Sequence, residues 1–379
     1  MKKFMKSGVC LMLACIMCMA AFSGCGKKDA SAPEKAKGEN KSETKATDNS
    51  IIAKGSDIEV SAETIGYYIY QCAMSAARAE DPNIEDFSTV DWNKKTADGE
   101  VMADEIKENA VDALMRRAAV VKYGKDNGMT LSDEEREQIK TNMEQYKSDQ
   151  GDDMFSLTLK AIGISSVDSY MNLYEIENIY NKVKTDFNKN RTNYIKDEKK
   201  MEKYKDDDNV CVQHILIMNN STKYEDPKKT IEEVLARAKN GEDFTQLMNE
   251  FNEDTGESES GYSFGHGEMV PEFEAASFKL NYGEISDVVE SSYGYHIIKR
   301  VVGFAEFENY IVDKWHMEAI DEVLDKISVS DIMKDITEAN SALMAAQADS
   351  AKQNGGQDGA AQNGTAQGET VQDGGKSNG

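Results

Sequence analysis

A change of hydrophobic period near residue 209 rules out an all-helical fold for this chain. Val210-Cys211-Val212-Gln213-His214-Ile215-Leu216-Ile217-Met218 is a run of β type, apolar and rich in branched side chains. A helix is predicted from residue 227 to about residue 240, with Ile231, Val234, Leu235 and Ala238 on one face, and it stops at Gly241. A second short helix carries Phe244, Leu247 and Phe251. After a Gly/Ser loop, a third short helix near residues 271–280 leads into a strand pair through Val288-Val289 and residues 295–301. The order β-α-α-loop-α-β-β describes a compact α+β domain over residues 206–303, a small antiparallel sheet surrounded by helices.

The flanks obey a different rule. Residues 51–205 read as mostly helical, opened by a short hairpin of Ile51-Ile52-Ala53 and Ile58–Val60 around Gly55. Helices are predicted over residues 62–79 and 101–124, the latter with Ile106, Ala110, Ala113, Leu114 and Ala118 at helical spacing. Ser132 and Glu135 form a capping box for a helix to about Lys147. Another helix starts at residues 161–165 and runs through Met171, Tyr174, Ile179 and Val183, while Met143, Met154, Leu157 and Leu159 offer an adaptable apolar lining that reads first as core. Past the α+β domain, residues 304–345 carry Phe307, Ile311, Trp315, Ile320, Leu324 and Ile327 as one amphipathic helix, whose stripe is expected to pack on the N-terminal helical region. The fold class is thus α+β, a helical N-terminal and C-terminal module with an inserted domain.

The ends are addresses and tethers. Lys2, Lys3 and Lys6 precede an apolar run from about residue 9 to residue 22, too short to span a bilayer and suited to a signal peptide over residues 1–24. Ala21-Phe22-Ser23-Gly24-Cys25 resembles a lipobox, which implies that Cys25 carries lipid and holds the chain at the extracytoplasmic face of the cell membrane. Residues 25–50 have nothing apolar to bury after the cysteine and are expected to be a solvated tether. Residues 346–379 are mostly Gly, Gln, Ala, Asn and Asp, with Val371 as the one branched aliphatic residue, and are expected to be a disordered tail. Removing the signal peptide and Cys25 leaves Cys72 and Cys211, too few for a disulfide scaffold, and both read as small core hydrophobes. A formal charge of −25 argues against nucleic acid as a partner, because phosphate neutralisation needs Lys and Arg.

Within residues 209–302, several short motifs occur in a characteristic order. They are Val212-Gln213-His214-Ile215-Leu216, Phe244-Thr245-Gln246-Leu247, Asn252-Glu253-Asp254, then Phe264-Gly265-His266-Gly267-Glu268-Met269-Val270-Pro271-Glu272-Phe273-Glu274. Ala276-Ser277-Phe278, Gly283-Glu284-Ile285-Ser286 and Tyr293-Gly294-Tyr295-His296-Ile297-Ile298-Lys299 come after them. This stretch resembles the parvulin family of peptidyl-prolyl cis/trans isomerases, in particular foldase lipoproteins of PrsA type, and the whole layout is similar to that of PrsA- and SurA-type proteins. The resemblance implies a cofactor-free, metal-free and non-covalent isomerase. Its catalytic residues would be His214, Asp254, Ser291 and His296. Tyr262, Phe264, Met269 and Phe273 would bind the substrate proline. The segment Ser260-Gly261-Tyr262-Ser263-Phe264 departs from the family's usual Gly-Gly-Asp-Leu-Gly-x-Phe, with Tyr262 standing for the pocket leucine.

Competing readings of the same residues exist. Two histidines on facing strands make an ordinary hydrogen-bonded core pair. Zinc on His214, His266 and His296 lacks ligand spacing and a fourth donor. The acidic run at residues 253–259 reads as a solvated rim. The expected function is a membrane-anchored extracytoplasmic isomerase that assists unfolded or partly folded exported proteins containing X-Pro bonds. The alternative is a holdase chaperone whose parvulin domain is catalytically weak or inactive.

Overall fold

The computed structural model describes residues 50–355 apart from Asp98, Asp207 and residues 257–259. The signal peptide, Cys25, almost all of the tether and the tail from residue 356 lie outside the described residues. No described helix is long and apolar enough to cross a membrane.

β1 (Ile51–Gly55) and β2 (Ile58–Ser61) form the antiparallel hairpin. α1 (Ile65–Glu80) and α2 (Met102–Asp126) pack along each other. α3 (Asp133–Gln150) starts with the predicted capping box: Ser132 Oγ accepts from Glu135 N (3.1 Å) and Ser132 N donates to the Glu135 carboxylate (2.8 Å). α4 (Asp152–Lys160) is a separate helix where the sequence reading has only an apolar lining. Residues 161–163 form a turn, so the next helix does not begin there. Gly163 takes φ +78° and its carbonyl lies against Gly66, where a Cβ would sit 2.3 Å away. α5 (Val167–Tyr194) begins at Ser166 instead, whose hydroxyl accepts from Ser169 N (3.0 Å), and its helical dihedrals are interrupted at Asn190.

Next come β3 (Asn209–Met218), α6 (Pro227–Lys239) and α7 (Phe244–Phe251), each helix capped by an aspartate: Asp226 accepts from Lys229 N and Asp243 from Gln246 N. β4 (Tyr262–Gly265), α8 (Pro271–Lys279), β5 (Val289–Glu290) and β6 (Gly294–Arg300) complete the domain. Pro227 and Pro271 occupy first helical positions, where their missing N–H costs nothing. The four strands make an antiparallel sheet in the order β4-β3-β6-β5. β4 lies inside the expected Gly/Ser loop; its alternation is too short to stand out locally, and pairing with β3 creates it. One sheet face buries Ile215, Ile217 and Ile297 against α6 and α7. The other buries Val210, Val212 and Ile298 against Phe264 and Phe273. Alternation along β3 decides which side chains go where.

The C-terminal part corrects the expectation of one long helix. It divides into α9 (Phe304–Lys314), β7 (Glu318–Ala319), α10 (Asp321–Leu324) and α11 (Val329–Gly355). His316 takes φ +50°, and Glu318 and Ala319 pair with the free edge of β1, so strand pairing outcompetes helix continuation there. The apolar stripe is still buried, but in two places. Phe304, Phe307 and Ile311 join Phe187, Tyr180 and Val183, whereas Ile327, Val329, Met333 and Ile336 join the cluster around α1 and α2. α11 also extends through residues 346–355, the start of the expected tail, where alanine, glutamine and lysine favour helix.

Candidate active site

β3 and β6 bring the two expected histidines together. His214 is paired with Ile298 and His296 with Leu216, so the imidazoles sit diagonally on one face, 5.4 Å between ring centroids. Both are buried, at 3 % and 4 % exposure. From α8, Phe273 sets its ring against both, 5.1 Å from His214 and 5.3 Å from His296. Tyr262, the first residue of β4, stacks on His214 at 5.7 Å with the planes 21° apart. Cys211 is three residues before His214 on β3, so alternation turns its thiol to the opposite face.

Polar groups close the constellation. Asp254 Oδ2 lies 3.5 Å from His214 Nε2 and accepts from the Tyr262 hydroxyl at 3.1 Å. Its other oxygen accepts from Gly256 N (2.9 Å). Ser291 Oγ is 2.8 Å from His296 Nε2 and accepts from Tyr293 N (3.1 Å). Burial, with the charge of His296 adding to it, pushes the His214 pKa down to about 4, against the pull of Asp254. Burial pushes His296 down to about 4 as well, again opposed by Asp254. Both rings are therefore neutral near neutral pH, and the floor they make is a set of fixed dipoles rather than charges.

The apolar part is graded. Phe264 and Phe273 are buried, while Tyr262 and Met269 are half-buried against the same cluster. His266 lies apart from the pair: it is exposed, stacks on Phe278 at 4.0 Å and faces the Glu274 carboxylate. Two residues of the Asn252-Glu253-Asp254 motif, to which the sequence assigns no site role, turn out to be positioning groups. Asn252 Oδ1 accepts from Leu216 N (2.9 Å) and Asp254 N (3.1 Å), and Glu253 accepts from Met218 N (2.8 Å) and the Ser221 hydroxyl (2.7 Å). Glu253 thus corrects the reading of residues 253–259 as rim alone. The available signal was an Asx residue directly after the last apolar residue of α7, where a helix end must find new partners. Together, Asn252 and Glu253 tie the segment before Asp254 to the edge of β3 and set where that carboxylate points.

Comparison with known proteins places the similarity in the same stretch of the chain. Residues 196–302 match the family described as PPIC-type PPIASE domain, a match that begins before the expected domain start at residue 206. Foldase protein PrsA 3 of Bacillus cereus is 33 % identical over 56 % of this chain and 63 % of its own length, so the chain spans less than two thirds of that relative. Foldase protein PrsA of Caldanaerobacter subterraneus is 28 % identical over 71 % of this chain and 83 % of its own length. A solution structure of the parvulin of Nitrosopumilus maritimus is 33 % identical, covering 25 % of this chain and 97 % of that one, with a TM-score of 0.21. It is residues 196–302, less than half of the chain, that match the PPIC-type, or parvulin, peptidyl-prolyl isomerase domain.

Proposed function

We propose that this protein is a peptidyl-prolyl cis/trans isomerase that assists exported proteins as they fold, held by lipid on Cys25 at the extracytoplasmic face of the membrane. The observation that carries the reading is the neutral imidazole pair, flanked by Asp254 and Ser291 and roofed by an apolar wall. Rotation about an X-Pro bond is slow because the amide loses resonance when twisted, a barrier of about 18–20 kcal/mol. Lowering it needs no bond to form. It needs a grip on the proline ring and a polar floor matched to the twisted amide rather than the planar one.

In this scheme Met269 and Phe273 hold the ring, with Phe264 as the backing beneath them. Phe273 also presses on both imidazoles, so the proline and the floor share one wall. Asp254, Tyr262 and Ser291 fix the orientation of the dipoles around the carbonyl that rotates. The clients would be unfolded or partly folded chains with X-Pro bonds, and the helical region would hold them. A holdase without turnover is the second reading, and Tyr262 favours it: a phenol stacked on His214 takes space beside the floor.

Turnover of a chromogenic Ala-Glu-Pro-Phe type peptide separates the two. Catalysis above background, reduced about tenfold by Met269→Ala through lost apolar contact, supports the isomerase. No turnover alongside strong suppression of client aggregation supports the holdase.

A further inference from the structure

The backbone that delivers Tyr262 to the site is held from the helical region. Arg191, near the end of α5, donates from Nη2 to the Ser260 carbonyl at 2.8 Å. Its guanidinium lies 5.7 Å from the ring of Phe187, which is fully buried with Phe304 and Phe307 in the helical core. Arg191 Nε is buried and finds no partner among the described residues. The head group is therefore seated against one body and bonded to the other.

The bond falls on a segment with little freedom. Gly261 comes directly after Ser260 at φ +77°, so close to β3 that a Cβ would lie 2.2 Å from the Val212 carbonyl. Tyr262 comes next, stacked on His214 and donating to Asp254. Any shift of the Ser260 carbonyl thus passes through one tightly packed glycine to the phenol that touches both His214 and Asp254.

We propose that Arg191 is a positioning residue for the isomerase site, acting through Ser260 and Tyr262 and so linking the helical region to catalysis. This rests on the isomerase reading above. In the full chain, Arg191→Met lowers kcat/KM for the proline peptide about tenfold, chiefly in kcat, as loss of a charge-assisted hydrogen bond implies. Arg191→Lys, which keeps a donor on a long stem, restores most of that loss. The deciding measurement is a double-mutant cycle with Tyr262→Phe. If Arg191 works through the phenol, Arg191→Met adds less than about twofold in the Tyr262→Phe background. Full, independent losses, or no loss from Arg191→Met alone, overturn the proposal. A second readout does not depend on turnover: the His214 ring resonances and titration midpoint, tracked by NMR, move in Arg191→Met. Unmoved resonances overturn the proposal whatever the kinetics, whereas a wild-type chain without turnover counts against the isomerase reading alone.

Discussion

Acidification probes the buried imidazole pair directly. Burial holds His214 and His296 at about 4, against 6.5 for an ordinary histidine. The unfolded chain therefore binds more protons than the folded one between about pH 6.5 and 4, and stability must fall as pH drops through that window, then level off below it. By about pH 4.5 the linkage amounts to about 2 kcal/mol per imidazole, on the order of 4 kcal/mol for the pair. That is a large share of a typical domain stability of about 5–15 kcal/mol. Glu306 and Glu308 work in the opposite sense, since burial raises their pKa values and the folded state takes up their protons first. Carboxylates held low by partners, such as Glu135 and Asp313, add losses that begin as pH falls through their ordinary values of 4.5 and 3.8, at the acid end of this window. Removing one imidazole isolates its share from all of these. Urea unfolding monitored by circular dichroism at about pH 7 and about pH 4.5 should show wild type losing about 2 kcal/mol more than His296→Gln. Equal losses in the two proteins, or an NMR midpoint near 6.5 for either ring, refute the reasoning.

Other substitutions test the remaining parts. Asp254→Ala should lower proline-peptide turnover with little change in the urea midpoint, because the half-exposed carboxylate acts locally; full activity removes it from the site. Phe307→Ala, which vacates a fully buried position stacked at 4.7 Å on Phe187, should cost about 3–5 kcal/mol in urea unfolding. A loss below about 1 kcal/mol would mean that α9 is not integral to the helical core. Cys25→Ala should abolish metabolic fatty-acid labelling and release the protein from membranes, since retention needs two acyl signals; persistent labelling ends the lipid-anchor proposal.

Local patterns account for much of this protein before any folding is considered. The period change at residue 209 places β3, the Ser132–Glu135 box starts α3, and Pro227 and Pro271 start α6 and α8. These signals depend on neighbours within one or two helical turns, so the sequence carries them whole. The resemblance singles out His214, His296, Asp254 and Ser291, which the structure brings close together, and strand alternation puts Cys211 on the far face. Tertiary structure decided the contacts whose partners lie far apart along the chain. β4 is a strand only because β3 offers an edge. The helix after residue 304 breaks at His316 because Glu318 and Ala319 pair with β1, a strand from the other end of the described residues. Asn252 and Glu253 aim Asp254 only once β3 has open amides to receive them, and Arg191 reaches Ser260 only after α5 has packed on α9. In each case, a backbone group left unpaired by its own segment is satisfied by a distant one, and no local pattern encodes that pairing.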